Sequence, residues 1–275
     1  MPKVTNLFPG DFEEYQSTRH EHEYILLDVR QPAEYAEAHI PGAVLMPLPE
    51  LESNCANLDA AKDVILYCRT GGRSAVAAAL LDDTGPRAGR IFNLVGGITG
   101  WQGKELLDIP HLELFPRDMT LVQTLYRALN VEKGSVLFYQ GLACEYAGST
   151  FGAMAQELVQ VGTTHARDVF SIWTAQGKSI QHEPFQALFD RLDGNIMEGG
   201  KPVTAWMAQL GANAQDRQLR LLELACEIEY YSYDLYRGLL CRSQTPEITA
   251  VFTRLAQQKK EHFRSLSRAL SFVMS

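Results

Sequence analysis

The sequence predicts two folds in one chain, an α/β unit built on a mostly parallel sheet followed by an all-α unit. Three observations carry this. Short apolar runs alternate with short helical patterns over roughly the first 105 residues, the arrangement of a parallel sheet covered by helices. After Asp118 the strand signals stop and everything beyond reads as helical. A chain of 275 residues is also long enough to bury two separate cores.

The elements come in order along the chain. DFEEYQST (11–18) reads as a helix, ILLDV (25–29) as a strand, and PAEYAEA (32–38) as a helix. AVLMP (43–47), DVILYC (63–68) and IFNLV (91–95) read as strands, and SAVAAALLDD (74–83) as the helix between the last two. Two prolines in LLDIPHLELFPRD interrupt the pattern, so the boundary falls between Ile109 and Arg117, with domains at 1–110 and 118–275.

Composition narrows the function. Apolar residues make up 46% and charged residues 21%, which is globular rather than disordered. A formal net charge of -8 disfavours nucleic acid as a partner, since phosphate backbones are held by clustered Lys and Arg. No apolar run is long enough for a spanning helix, and the first residues show no signal-peptide core, so a cytoplasmic protein is expected, with no membrane partner. The five cysteines, at 55, 68, 144, 226 and 241, include no closely spaced pair. That fits a reducing compartment and excludes a rubredoxin-type iron site or a zinc ribbon.

Cys68 stands out because of its setting in YCRTGGRS (67–74). The cysteine ends an apolar strand and precedes a helix. Amides in a glycine-containing turn, backed by a helix N-terminus, form a concave positive site that stabilises a thiolate and binds an anion. Arg69 and Arg73 add charge, and together these lower the thiol pKa from its free value of about 8.5. Gly71 and Gly72 can take backbone angles that turn amides inward. A cysteine ending a buried strand can also simply pack there. Spacing weighs against a phosphatase loop, because Ser74 stands where a phosphatase would need its arginine.

Three segments then resemble the signatures of a single-domain rhodanese: LLDVRQPAEYAEAHIPGAVLMPL (26–48), YCRTGGRS (67–74) and NLVGGITGWQ (93–102). The resemblance spans residues 1–105 and implies a rhodanese-like parallel sheet. It implies that Cys68 is the catalytic residue, taking a sulfane sulfur from a donor such as thiosulfate, holding it as a persulfide and passing it to a thiophilic acceptor. Arg69, Thr70, Gly71, Gly72 and Arg73 would bind the substrate. Ala38 departs from the family, which usually has glycine before the residue at His39. Asp28 and Arg30 are read as orienting the loop, His39 as a structural hydrogen-bonding residue and Trp101 as core. The other four cysteines are read as plain thiols.

The helical part hides a repeat. Glu132, Tyr139 and His165 recur as Glu229, Tyr236 and His262, each offset by 97 residues. Ala128 with Ala225, Phe138 with Leu235, Leu142 with Leu239 and Leu158 with Leu255 match at the same offset. Two helix hairpins of similar sequence build a four-helix bundle, joined by a long crossover at about 176–214 that contains LDGNIMEGGKP. The repeat resembles the rubrerythrin branch of the ferritin-like family, which implies a metal site at Glu132, His165, Glu229 and His262. Two carboxylates of that motif are missing, since Gly162 and Lys259 stand three residues before the histidines. A bundle without metal is the expectation; a single iron or zinc and an intact di-iron pair stay open. Lys259 could take the place of the metal by pairing with Glu132 or Glu229. Tyr139 and Tyr236 are read as core aromatics with bonded hydroxyls.

The leading function is therefore a rhodanese-type sulfurtransferase that needs no cofactor, with a small sulfur-containing donor anion and a thiol acceptor as partners and a homodimer formed through the helices. One alternative is a rubrerythrin-like peroxide or oxygen reductase with a sulfur-sensing domain. Another is a non-enzymatic persulfide carrier or sensor.

Overall fold

A computed structural model describes residues 4–175, 183–209, 217–242 and 245–274. The chain divides into two compact units, Met1–Ile109 and Pro110–Ser275.

In the first unit, β1 (Val4–Leu7), β2 (Tyr24–Asp28), β3 (Val44–Leu45), β4 (Asp63–Tyr67) and β5 (Ile91–Leu94) form one parallel sheet in the order β1-β5-β4-β2-β3. Between them lie α1 (Pro9–Thr18), α2 (Pro32–Glu37), α3 (Leu48–Asn54), α4 (Gly72–Asp83) and, after β5, α5 (Gly97–Gly100). The near-continuous apolar runs have a physical cause, since both faces of the sheet are covered. Val64, Leu66 and Cys68 pack with Leu51 of α3 and Ala77, Ala78 and Leu81 of α4. Ile65 and Tyr67 point the other way, to Phe12 of α1, Tyr35 of α2 and Ile98 of α5.

Three elements differ from the sequence reading. VTNL (4–7) is an edge strand paired with β5, although its exposed Thr5 and Asn6 leave little apolar signal. AVLMP shrinks to Val44–Leu45, and Pro47, which has no N–H to add to a ladder, leads directly into α3. That helix, LPELESN, is masked in the sequence by its proline near the start, a position proline favours.

The second unit is helical. Its elements are α6 (Leu121–Glu145), α7 (Thr150–Ala175), α8 (Phe185–Arg191), α9 (Val203–Gln209), α10 (Arg217–Arg242) and α11 (Pro246–Met274). Helix α6 packs along α7, and α10 along α11. Thr120 and Gln123 close a capping box at the start of α6. Residues ahead of the expected start at 118 also belong here, with the Phe115 ring 5.5 Å from Phe252 and 6.4 Å from Tyr236. In the crossover region, α8, α9 and a turn through Gly199 and Gly200 lie among the described residues, whereas positions 176–182 and 210–214 lie outside them. Gly134 of α6 admits that connection, because a Cβ there would strike the Ile196 carbonyl. Among the described residues no helix is long and apolar enough to cross a membrane.

Candidate functional site

Cys68 lies at the C-terminal end of β4, just before the N-terminus of α4. Gly71 caps that helix with φ of +98°, a left-handed conformation that suits glycine. This bend turns the Gly71 amide back onto the cysteine, donating to Sγ at 3.1 Å. The Ser74 hydroxyl oxygen lies 3.6 Å from the same sulfur, sharing its one proton with Asn93 Oδ1. Burial pushes the Cys68 thiol pKa up; the Ser74 hydroxyl and the amides of Ser74, Thr70 and Gly71 outweigh it and hold the thiol below its ordinary value. The cysteine is 1% exposed, beneath a rim of exposed Arg69, Thr70 and Gly72.

The loop is pinned from below by the GGIT segment. Ile98 and Thr99 donate their amides to the carbonyls of Cys68 and Arg69, at 2.9 and 3.0 Å. Ser74 ties the loop to the sheet through Asn93 Oδ1 at 2.7 Å, and Asn93 in turn donates to Asn6 of β1 at 3.3 Å. Sequence reasoning singles out neither asparagine; a polar residue inside an otherwise apolar strand such as IFNLV is the available signal.

Arg73 is not a free cation. Glu34 of α2 accepts from both of its terminal nitrogens, at 2.7 and 2.8 Å, and this bond holds the Glu34 carboxyl down to about 2. The clamp orients the guanidinium while reducing the net positive charge of the loop. Arg30 forms a fork with Asp28 at the end of β2 and donates to the Ala38 carbonyl at 2.6 Å. Ala38 has φ of -165°, extended backbone open to any residue, so the family's glycine is not required there. His39 is buried, stacked on Tyr35, with Nδ1 3.1 Å from the Tyr35 carbonyl. Trp101 is half-buried against Phe12.

Comparison with known proteins matches residues 11–104 to the Rhodanese-like domain family. A protein named "Sulfurtransferase" from Allochromatium vinosum is 40% identical over 77 residues, covering 28% of this chain and 70% of its own. The chain belongs to the rhodanese-like family. The "Putative sulfurtransferase YtwF" of Bacillus subtilis is 34% identical over 82 residues, 30% of this chain and 77% of that one. The "Putative sulfur carrier protein YrkF" of the same organism is 38% identical over 79 residues, 29% of this chain and 42% of its own length. Among solved structures, the rhodanese-like domain protein from Staphylococcus aureus aligns with 38% of this chain and 98% of its own, at 21% identity and a TM-score of 0.34.

Within the rhodanese-like domain Cys55 is half-buried; in the helical unit Cys144 and Cys241 are exposed and Cys226 is buried, and none of these is in a disulfide. Three of the four residues expected as metal ligands come together around a lysine in the helical unit, and the fourth, His262, lies against Glu229. Lys259 Nζ stands 2.9 and 3.2 Å from the two Glu132 oxygens, 3.3 Å from His165 Nδ1 and 3.8 Å from Glu229 Oε2. His262 Nδ1 lies 2.9 Å from Glu229 Oε1. Burial, aided by the Lys259 ammonium, pushes His165 down to about 3, so its imidazole is neutral and offers Nδ1 as an acceptor. Glu132, His165 and Glu229, read from the sequence as metal ligands together with His262, thus face the Lys259 side chain. Among the described residues no cluster of three or more His, Cys, Asp or Glu is set to hold one. Tyr139 and Tyr236 are buried as expected, but the Tyr236 hydroxyl has no hydrogen-bond partner among the described residues.

Proposed function

We propose that the rhodanese-like domain is a sulfurtransferase working through a Cys68 persulfide. One observation carries the reading: the Cys68 sulfur sits on the Gly71 amide and the Ser74 hydroxyl, at the start of a helix, with its thiol pKa lowered. A thiolate held this way needs no separate base. It attacks the outer sulfur of a donor such as thiosulfate; the S–S bond breaks, sulfite leaves with the electron pair, and Cys68 keeps the sulfur as a persulfide. An acceptor thiolate then attacks the terminal sulfur and the Cys68 thiolate departs. Arg69 and the Glu34-clamped Arg73 attract the donor anion, and the loop amides stabilise the charge on sulfur. Relatives named as sulfurtransferases support this reading.

The test is intact mass of the full chain after thiosulfate treatment, run beside Cys68→Ala. The wild type is expected to gain the mass of a sulfur atom, removable by a thiol, and the variant to gain nothing. An equal gain in both, or none in either, sinks the proposal. A second reading, a stoichiometric persulfide carrier, draws on the relative named as a putative sulfur carrier. Steady-state turnover separates the two: a transferase cycles with ping-pong kinetics, whereas a carrier loads once and stops.

For the helical unit, we read the paired helices and the 97-residue repeat as a four-helix bundle of ferritin-like type.

A further inference from the structure

We propose that Lys259 is a tethered cation standing where a metal ion would stand between the two helix pairs, so that the helical unit neutralises its own buried carboxylates and needs no metal. The repeat supplies the first argument. The same offset of 97 residues that carries Glu132 onto Glu229 and His165 onto His262 carries Gly162 onto Lys259. The two copies agree at the glutamates and histidines and differ at this position, where one has no side chain and the other has a long flexible cation. At Gly162 the space is tight: a Cβ would lie 3.0 Å from Val136 Cγ2. The single lysine therefore takes the place of what the repeat would otherwise supply from both sides.

Geometry supplies the second. The partners of the Lys259 ammonium come from three other helices, Glu132 from α6, His165 from α7 and Glu229 from α10. Their distances, 2.9 to 3.8 Å, are those of N–H contacts and ion pairs, well beyond the ~2.0–2.2 Å of metal bonds to nitrogen or oxygen. A divalent ion brought to the same point would meet a positive charge inside its own coordination shell.

Burial supplies the third. Lys259 is 1% exposed and Glu132 fully buried. Charges so deeply buried are tolerated only when paired, and Lys259 is the ammonium found between the two glutamates. Taking away the lysine therefore leaves two glutamates and two histidines around a vacated volume, a donor set that a divalent transition metal can use.

The experiment uses the full chain as wild type, Lys259→Ala and Lys259→Met. Wild-type protein is expected to show no stoichiometric site in Co(II) titration and no change of thermal midpoint with a chelator. Lys259→Ala is expected to take up about one Co(II) per chain with the visible absorption of a four-coordinate N/O site, and to lose it when Glu229→Gln is added. Lys259→Met fills the volume without charge, so its midpoint should fall and should not recover with metal. If Lys259→Ala does not fold alone, its readout is folding with Co(II) present, and recovery supports the proposal. Wild-type protein that holds a stoichiometric metal, or a Lys259→Ala protein that neither binds Co(II) nor folds with it, overturns the proposal. So does a Lys259→Met protein as stable as the wild type.

Discussion

The lowered pKa of the Cys68 thiol comes mainly from its immediate neighbours. The forces lowering its pKa come first from the Ser74 hydroxyl and then from the amides of Ser74, Thr70 and Gly71, working against burial. The direction fixes a pH dependence. A thiol held below its ordinary value, about 8.5, is already deprotonated in a window where a free cysteine is not. Alkylation of Cys68 should therefore reach half its limiting rate at a lower pH than a model thiol does. In Ser74→Ala that midpoint should move up, because a donor to the thiolate is gone while the burial stays. An unchanged midpoint would mean that the amides alone set the pKa. Arg73, beside this loop, is held by Glu34.

At the scale of elements, the site is a junction of β4, α4 and α5. The first turn of α5 reaches the carbonyls of Cys68 and Arg69, which demands a very close approach at Gly97. That residue has φ of +54°, and a Cβ on it would run into the carbonyls of Cys68 and Arg69. Gly97→Ala should cost about 1–3 kcal/mol through overpacking and also displace the loop, so that sulfur loading falls together with stability. Urea unfolding and the intact-mass assay on one preparation check both; a variant with full loading and wild-type stability would show that the loop is held elsewhere. The segment NLVGGITGWQ thus acts as the floor of the cysteine loop, which explains physically why its glycines lie so far along the chain from the cysteine they serve.

At the scale of the whole molecule, each unit has its own core, and their sensitivities should separate. Removing one partner of a buried ion pair costs roughly 3–5 kcal/mol, so Lys259→Met should lower the denaturant midpoint of the far-UV helical signal, which the second unit dominates. Protection of the Cys68 thiol against labelling reports on the first unit and should keep its midpoint. Both signals shifting together would show that the units unfold as one. Two-state treatment of the full chain would then be justified, where otherwise it is not.

Much of this is legible in the sequence because it depends on residues close in the chain or on periodicity. The strand, cysteine, glycine turn and helix of DVILYCRTGGRS are contiguous, and local backbone preference builds them. The repeat in the helical part announces itself through a constant offset, and so does the anomaly at Lys259. The short edge strand at Val4–Leu7 is not legible, since its pairing with β5 relies on backbone bonds and leaves little apolar pattern. Nor are the partners of the decisive charges. Glu34 is 39 positions from Arg73, and Lys259 is 127 positions from Glu132; which carboxylate a cation meets depends on how helices pack and how far a side chain reaches. By itself, the sequence determined that a cysteine loop between a strand and a helix and a duplicated helical unit share this chain. Only the tertiary structure decided that Arg73 is clamped and that the Lys259 ammonium stands among Glu132, His165 and Glu229, because both are contacts between elements that folding brings together.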